Sequence, residues 1–214
     1  MTSAPVKGGG LPAPAPVNRE QVDAQTIEAC RRGDRAALER VLRLHAPAVE
    51  RTLSRLCGPA AELPDLLQET LTIACRSFKN FRGGSLVQTW LIGIAVQVSR
   101  AHFRKPHRRR QVPLYAVNAP EPVDPKSATD AQIDGRLLLH RVYTHLDALG
   151  EKKRQAFLLH VADGRSIGEI SEILGVNPLT VKSRIQFARR GLLQRARRDP
   201  ALREFLERLA EEPQ

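Results

Sequence analysis

Five prolines, Pro106, Pro113, Pro120, Pro122 and Pro125, fall between residues 106 and 125, and they constrain the fold more than any other feature of the chain. Each lacks an amide donor and crowds the preceding turn, so no regular helix runs through them. On either side, apolar residues return at helical spacing, in one block from about Asp23 to Lys105 and another from about Gln132 to Arg198. Leu67, Leu71, Ala74 and Phe78 fall at i, i+4, i+7 and i+11, and Leu91, Ile94, Ala95 and Val98 form a second stripe. The pattern over Thr26–His45 breaks at Gly33-Asp34, where Asp34 can cap a new helix. Alternating β-branched runs are absent. The chain is therefore expected to be all-α, with two small helical domains joined by a Pro-rich linker. The expected divisions are a disordered Pro/Gly/Ala-rich tail over 1–22, a first domain over 23–105, a linker over 106–135, a second domain over 136–198, and a C-terminal helix within 199–214.

Charge narrows the class of partner. The chain has 34 Lys+Arg against 23 Asp+Glu, a formal excess of +11. Arg100 to Arg110 holds six basic residues and no acid, and Lys182 to Arg198 holds seven, again with no acid. Together these clusters exceed the net excess, so the remainder is close to balanced. Two localised basic patches, each ending an apolar-periodic block, point to a polyanion gripped at two places.

Other classes find little support. The best apolar run, Leu91 to Val98, is interrupted by Gln97 and falls far short of a bilayer span, and no basic segment followed by an apolar stretch marks a secretory signal. Three cysteines with no close pairing do not suggest a disulfide framework and fit a reducing cytoplasm, the expected location. Cys30, Cys57, Cys75, His102 and His107 have no compact metal-ligand spacing, so neither metal nor cofactor is expected. No phosphate loop, HExxH or nucleophile elbow is present, and nothing converges on the Asp65/Glu69 pair. An enzyme is not expected.

Residues 166–193 carry the most specific local signal. Ser166 and Glu169 are spaced as a capping box, and Ile167, Ile170, Ile173 and Leu174 give a short helix a buried stripe. Gly175 supplies a left-handed stop, Val176 plugs the gap, Asn177 caps and Pro178 begins a second helix. That helix buries Val181, Ile185, Ala188 and Leu192. Its opposite face shows Thr180, Lys182, Ser183, Arg184, Gln186, Phe187 and Arg190. This is the pattern of a helix-turn-helix whose second helix enters the major groove. Phe187 could meet a thymine methyl or cover a neighbouring helix, and the sequence does not choose.

The first block resembles the extracytoplasmic-function (group four) sigma factors of bacterial RNA polymerase. The resemblance lies in Ala29-Cys30-Arg31-Arg32-Gly33-Asp34, Asp65-Leu66-Leu67-Gln68-Glu69, Phe81-Arg82-Gly83-Gly84-Ser85 and Thr89-Trp90-Leu91. It continues in the second block through Leu146-Asp147-Ala148-Leu149, Gly175-Val176 and Thr180-Val181-Lys182-Ser183-Arg184. The order and spacing of these elements carry the specificity, over about residues 23 to 105 and 136 to 198.

The resemblance implies a sigma factor that joins core polymerase, selects promoters and helps open the minus-ten region. Asp65, Gln68 and Glu69 would accept hydrogen bonds from clamp arginines. Phe81, Arg82, Gly83, Gly84, Ser85, Gln88, Trp90, Gln97, Arg100, Arg104 and Lys105 would serve minus-ten DNA, the Gly loop capturing a flipped base and the basic residues holding phosphates. Trp90 is expected to sit in the core with one edge toward nucleic acid. Thr180, Lys182, Ser183, Arg184, Gln186, Phe187 and Arg190 would read the minus-thirty-five region. Core polymerase, promoter DNA and an anti-sigma factor are the implied partners, without membrane insertion. Gln97, Ala101, Leu86, Val87, Gln186 and Phe187 depart from the family's usual residues, so no promoter consensus is implied. The alternative is a stand-alone helix-turn-helix regulator that never joins the polymerase. Leu202, Phe205, Leu206 and Leu209 could dock a partner or pack back on the second domain.

Overall fold

The computed structural model describes residues 22–58, 62–104 and 130–203, with side chains from residue 138 onward in the last segment. Lys105, most of the expected tail and linker, and Phe205, Leu206 and Leu209 lie outside the described residues. Every regular element among the described residues is helical.

Asp23 opens α1 (Ala24–Arg31), its carboxylate accepting from the Thr26 amide at 2.8 Å and the Thr26 hydroxyl at 2.6 Å. Gly33, at φ +87°, turns the chain, and Asp34 then caps α2 (Arg35–Cys57) by accepting from the Ala36 and Ala37 amides. The break at Gly33-Asp34 stands where the sequence places it. The helix after it is longer than its apolar pattern suggests, since it passes through Pro47 to Cys57. Leu53 and Val49 are fully buried beyond that proline, so tertiary packing outweighs the lost backbone bond.

Pro64 occupies the first turn of α3 (Leu63–Ser77), and a 3-10 turn (Phe78–Asn80) follows. The expected apolar stripe on α3 needs correcting. The face turned inward is Leu63, Leu66, Thr70 and Ala74, with Leu67 and Leu71 only half-buried at its edge. Thr70 can be buried because its hydroxyl donates to the Leu66 carbonyl at 2.7 Å, leaving its methyl to pack. These residues meet Val41, Val49 and Leu53 of α2, and Leu91, Ala95 and Val98 of α4 (Val87–Arg104), to form the first core.

The second domain comprises α5 (Asp130–Asp147), α6 (Glu151–Val161), α7 (Ile167–Leu174) and α8 (Pro178–Ala196). Helix α5 begins inside the stretch assigned to the linker. After α8, residues 200–203 are helical again. Asp199 accepts from the amides of Ala201 and Leu202, receives Arg141 at 3.1 Å, and lies 2.9 Å from His145 Nε2. Leu202 is buried, so the described start of the C-terminal segment packs back on its own domain.

The two domains lie against each other. A second core joins Leu56 of α2 and Ile92 and Val96 of α4 to Leu146, Leu159, Ile170 and Leu174 of the second domain. Ile92 and Val96 are 0% and 1% exposed. Burying such side chains contributes about 2 kcal/mol each relative to leaving them in water. Helix α4 is consequently apolar around most of its circumference, one side facing the first core and the other facing α7.

Candidate nucleic-acid interface

The helix-turn-helix forms as its local chemistry requires. The Ser166 side chain accepts from the Glu169 amide at 3.2 Å, and the Glu169 carboxylate accepts from the Ser166 amide at 2.9 Å, closing a capping box. Gly175 adopts the left-handed conformation at φ +62° and ψ +40°. Asn177 caps α8 through the Leu179 amide at 2.8 Å. Val181 and Ala188 are fully buried, holding α8 on the domain. Lys182, Ser183, Gln186, Phe187 and Arg190 are exposed, and Thr180 and Arg184 are half-buried on the flanks. Arg189, one residue outside the sequence-derived set, is exposed as well. Phe187 is 56% exposed with the Lys153 ammonium 5.8 Å from its ring centre, so it presents its ring beside α6 rather than sealing a helix contact. Leu179, which sequence reading passed over, is 71% exposed at the tip of α8.

In the first domain, Phe78, Phe81 and Trp90 pack together, with ring centres 5.3 to 5.6 Å apart. This cluster floors the loop between the 3-10 turn and α4. Arg31 Nε donates to the Phe81 carbonyl at 2.7 Å and fixes the near end of that loop against α1. Arg82, Gly83 and Gly84 are exposed, Ser85 is half-buried, and Gly83 takes φ +77°. Trp90 is half-buried, edge-on or tilted against the two phenylalanine rings of the cluster. Gln97, Ala101 and Arg104 form an exposed stripe along α4.

Two of the residues expected to serve the minus-ten strand have buried side chains. Phe81 is 4% exposed and belongs to the first core, supporting the loop from beneath. Gln88 is 4% exposed, and its side-chain oxygen accepts from Arg165 of the second domain at 3.4 Å. Both look locally like loop and helix-start residues free to meet a ligand. What covers Gln88 is 77 residues away in sequence. Arg100 is also engaged, donating through Nε and Nη2 to Gln155 Oε1 at 3.0 and 2.8 Å, with Glu151 3.4 Å away.

Those contacts belong to a polar seam between the domains. Asp163 accepts from Thr52 at 3.0 Å, from Arg55 at 2.6 Å and from Arg165 at 2.9 Å. Arg165 continues to Glu169, which ties the seam to the capping box. At the end of α2 the second domain supplies the missing cap: Tyr143 donates to the Arg55 carbonyl at 3.1 Å, and Arg154 donates to the Leu56 carbonyl. Arg154 also pairs with Asp147 at 2.5 Å and lies 4.4 Å from the centre of the Phe103 ring. Burial raises the Tyr143 hydroxyl and the Asp147 carboxyl above their ordinary values, Arg154 opposing both shifts. Burial also pushes the Cys57 thiol up to about 12.

On α3, Asp65, Gln68 and Glu69 are all exposed on one side of the helix, away from the first core. Beside them Glu50, Pro64, Leu67, Leu71, Thr72 and Cys75 line a shallow groove between α2 and α3. No helix among the described residues is long and apolar enough to cross a membrane.

The basic helix-turn-helix in the second domain defines a DNA-binding protein, and the exposed acidic face of α3 gives the first domain a separate polar surface. Comparison with known families makes the class definite. Residues 41–110 match Sigma-70 region 2 and residues 139–192 match Sigma-70, region 4, which together span more than half of the chain in the order expected. The ECF RNA polymerase sigma-E factor of Escherichia coli (strain K12) is 29% identical over 184 residues, covering 82% of this chain and 95% of that protein. The RNA polymerase sigma-H factor of Pseudomonas aeruginosa is 28% identical over 181 residues, covering 81% of this chain and 93% of that protein. Among solved structures, CnrH in complex with the cytosolic domain of CnrY shares the fold, with a TM-score of 0.61 and 21% identity over 82% of this chain and 97% of that one. RpoE of Bartonella quintana, in complex with the anti-sigma factor NepR, has a TM-score of 0.52 and 27% identity, over 73% of this chain and 94% of that one. The chain belongs to the sigma-70 family, in its extracytoplasmic-function branch, and is an RNA polymerase sigma factor. Sigma factors are transcription initiation factors rather than enzymes.

Proposed function

We propose that α3 docks the chain on the polymerase clamp through Asp65, Gln68 and Glu69, and that α8 reads the minus-thirty-five duplex. The single observation behind this reading is the division of exposed charge. The acceptor face of α3 and the donor face of α8 sit on different domains, each directed outward from its own core. Carboxylates and an amide suit arginine donors on a protein surface, whereas Lys182, Arg184 and Arg190 suit phosphates. Thr180 and Ser183, short and near the start of α8, suit base edges.

In the first domain, the Arg82-Gly83-Gly84-Ser85 loop over its aromatic floor is proposed to take one unstacked base. Gln97, Arg104 and, once freed from Gln155, Arg100 would then track the adjoining strand. Trp90 and Phe81 support this loop from below. The chain is proposed to act in the cytoplasm, where polymerase and chromosome are. An anti-sigma factor is the proposed controlling partner, since a structural neighbour was solved with one.

Run-off transcription with core polymerase on genomic fragments tests the whole reading. The wild-type chain is expected to start transcripts at defined sites. Asp65→Lys with Glu69→Lys is expected to weaken core binding by about tenfold or more while leaving DNA binding by the second domain intact. Unchanged initiation by the double variant would remove the clamp assignment.

A further inference from the structure

We propose that Leu179 and Phe187 form a two-point thymine reader, each packing on a thymine methyl in the major groove, so that the element bound by α8 carries thymines about three to four base pairs apart. The proposal rests on the assignment of α8 to the minus-thirty-five duplex. It adds to that assignment a specificity-determining residue, Leu179, and a base preference.

Three observations carry it. First, of the large apolar side chains described, Leu179 and Phe187 are the two most exposed, at 71% and 56%. Single exposed hydrophobics scattered over a surface are ordinary. These two instead share one helix and one stripe, at i and i+8, with Ser183 midway between them.

Second, the surroundings of the stripe identify what covers it. Lys182, Arg189 and Arg190 are exposed around it, and no carboxylate occurs from Leu179 to Arg198. A partner seated here must be a polyanion that also offers apolar groups. Duplex DNA meets both demands in its major groove, where the thymine C5 methyl stands among the hydrogen-bonding edges.

Third, the dimensions suit a groove. Ser183 is short and exposed, so the backbone between the two apolar tips can come close to base edges. At a rise of about 1.5 Å per residue the tips stand about 12 Å apart along α8, and bases along a strand are about 3.4 Å apart. The tips therefore match methyls about three to four base pairs apart. The Lys153 ammonium of α6, 5.8 Å from the centre of the Phe187 ring, covers one face of it and restrains its rotation.

The test selects duplexes from a randomised pool with the full-length chain bound to core polymerase. The selected element is expected to hold two thymines, on either strand, at the stated spacing. Replacing one thymine at a time by deoxyuridine removes only the methyl group. At those two positions the replacement is expected to weaken wild-type binding about fourfold, the worth of one buried group of that size. Leu179→Ala is expected to abolish the penalty at one position and Phe187→Ala at the other. Both side chains are exposed, so neither truncation threatens the fold.

A wild-type affinity that changes less than about twofold at every deoxyuridine overturns the reader. A penalty that persists in both variants overturns it too, and would leave the apolar tips for a protein partner. Lys182→Ala and Arg184→Ala on the same duplexes report on α8 itself. A flattened salt dependence in these variants without any deoxyuridine effect defeats the thymine reader alone, whereas an unaltered salt dependence defeats the assignment of α8 to DNA as well.

Discussion

Arg55 Nη1 and Asp163 Oδ1 lie 2.6 Å apart although 108 residues separate them in sequence, and this pair sets the two domains against each other. Asp163 is nearly buried and accepts from three donors, so its cost of desolvation is met only while all three stay in place. Removing the acceptor is more damaging than removing one donor. Asp163→Ala leaves Arg165 buried with only Glu169 and Gln88 nearby and is expected to cost about 3 kcal/mol or more. Thr52→Val deletes one hydroxyl donor at nearly constant volume and is expected to cost about 1 kcal/mol. Urea unfolding followed by circular dichroism checks the order, and equal losses would mean that Asp163 is not the centre of the seam.

The basic face of α8 makes a prediction about salt. If Lys182 and Arg184 contact phosphates, each replacement by Ala releases one counterion fewer. The slope of log affinity against log salt should then flatten by about one unit per residue, whatever the promoter sequence. Gln186→Ala should leave the slope alone and alter preference among promoters instead. Fluorescence anisotropy on a minus-thirty-five duplex across a salt series distinguishes these outcomes.

Much of the second domain was legible because its signals are local. The capping box, Gly175, Asn177 and Pro178 each act within a few residues, so sequence spacing carries the geometry directly. The exposed trio on α3 was legible for the same reason. Its buried face was misread by a residue because Thr70 looks polar as a letter but satisfies itself inside the helix. The seam was not legible. Asp163 and Arg165 lie between α6 and α7, and their partners Thr52, Arg55 and Gln88 come from far upstream, beyond the reach of any local spacing. One sign did exist: α4 shows Leu91, Ile92, Ile94, Ala95, Val96 and Val98, apolar on more than one face, which marks a helix covered on two sides.

The thiols give a prediction in pH. Cys57 is pushed up to about 12 by burial, with Arg154 opposing and Glu62 adding to the shift; burial also raises Cys30. A thiol whose folded value lies above its unfolded one stabilises the fold while protonated. That contribution is complete below the unfolded value near 8.5 and is lost as pH rises toward about 12. Between pH 7 and 9 a thiol reagent should modify Cys75 in the native chain, leaving Cys30 and Cys57 until denaturant is added. Cys57→Ala should flatten the fall in stability on the alkaline side. Rapid native modification of Cys57 would contradict its half-buried packing against both cores.

Gly93 on α4 faces Ile173 of α7, and this position separates packing from propensity. A Cβ built there would lie 3.8 Å from the Ile173 carbonyl oxygen, an ordinary van der Waals contact, so alanine fits without displacement. Gly93→Ala also removes the backbone freedom that a glycine costs inside a helix and is expected to stabilise the chain by roughly 0.5–1 kcal/mol. Leucine has the same helix preference to within a few tenths of a kcal/mol, but its branches must enter the space that α7 fills. Gly93→Leu should therefore wedge α7 away from Ile92 and Val96, lower the melting temperature and enlarge the radius of gyration in solution scattering. Opposite signs for the two substitutions are the expected result. If Gly93→Leu melts as Gly93→Ala does and scatters as a compact particle, α4 and α7 do not pack against each other at Gly93 in solution.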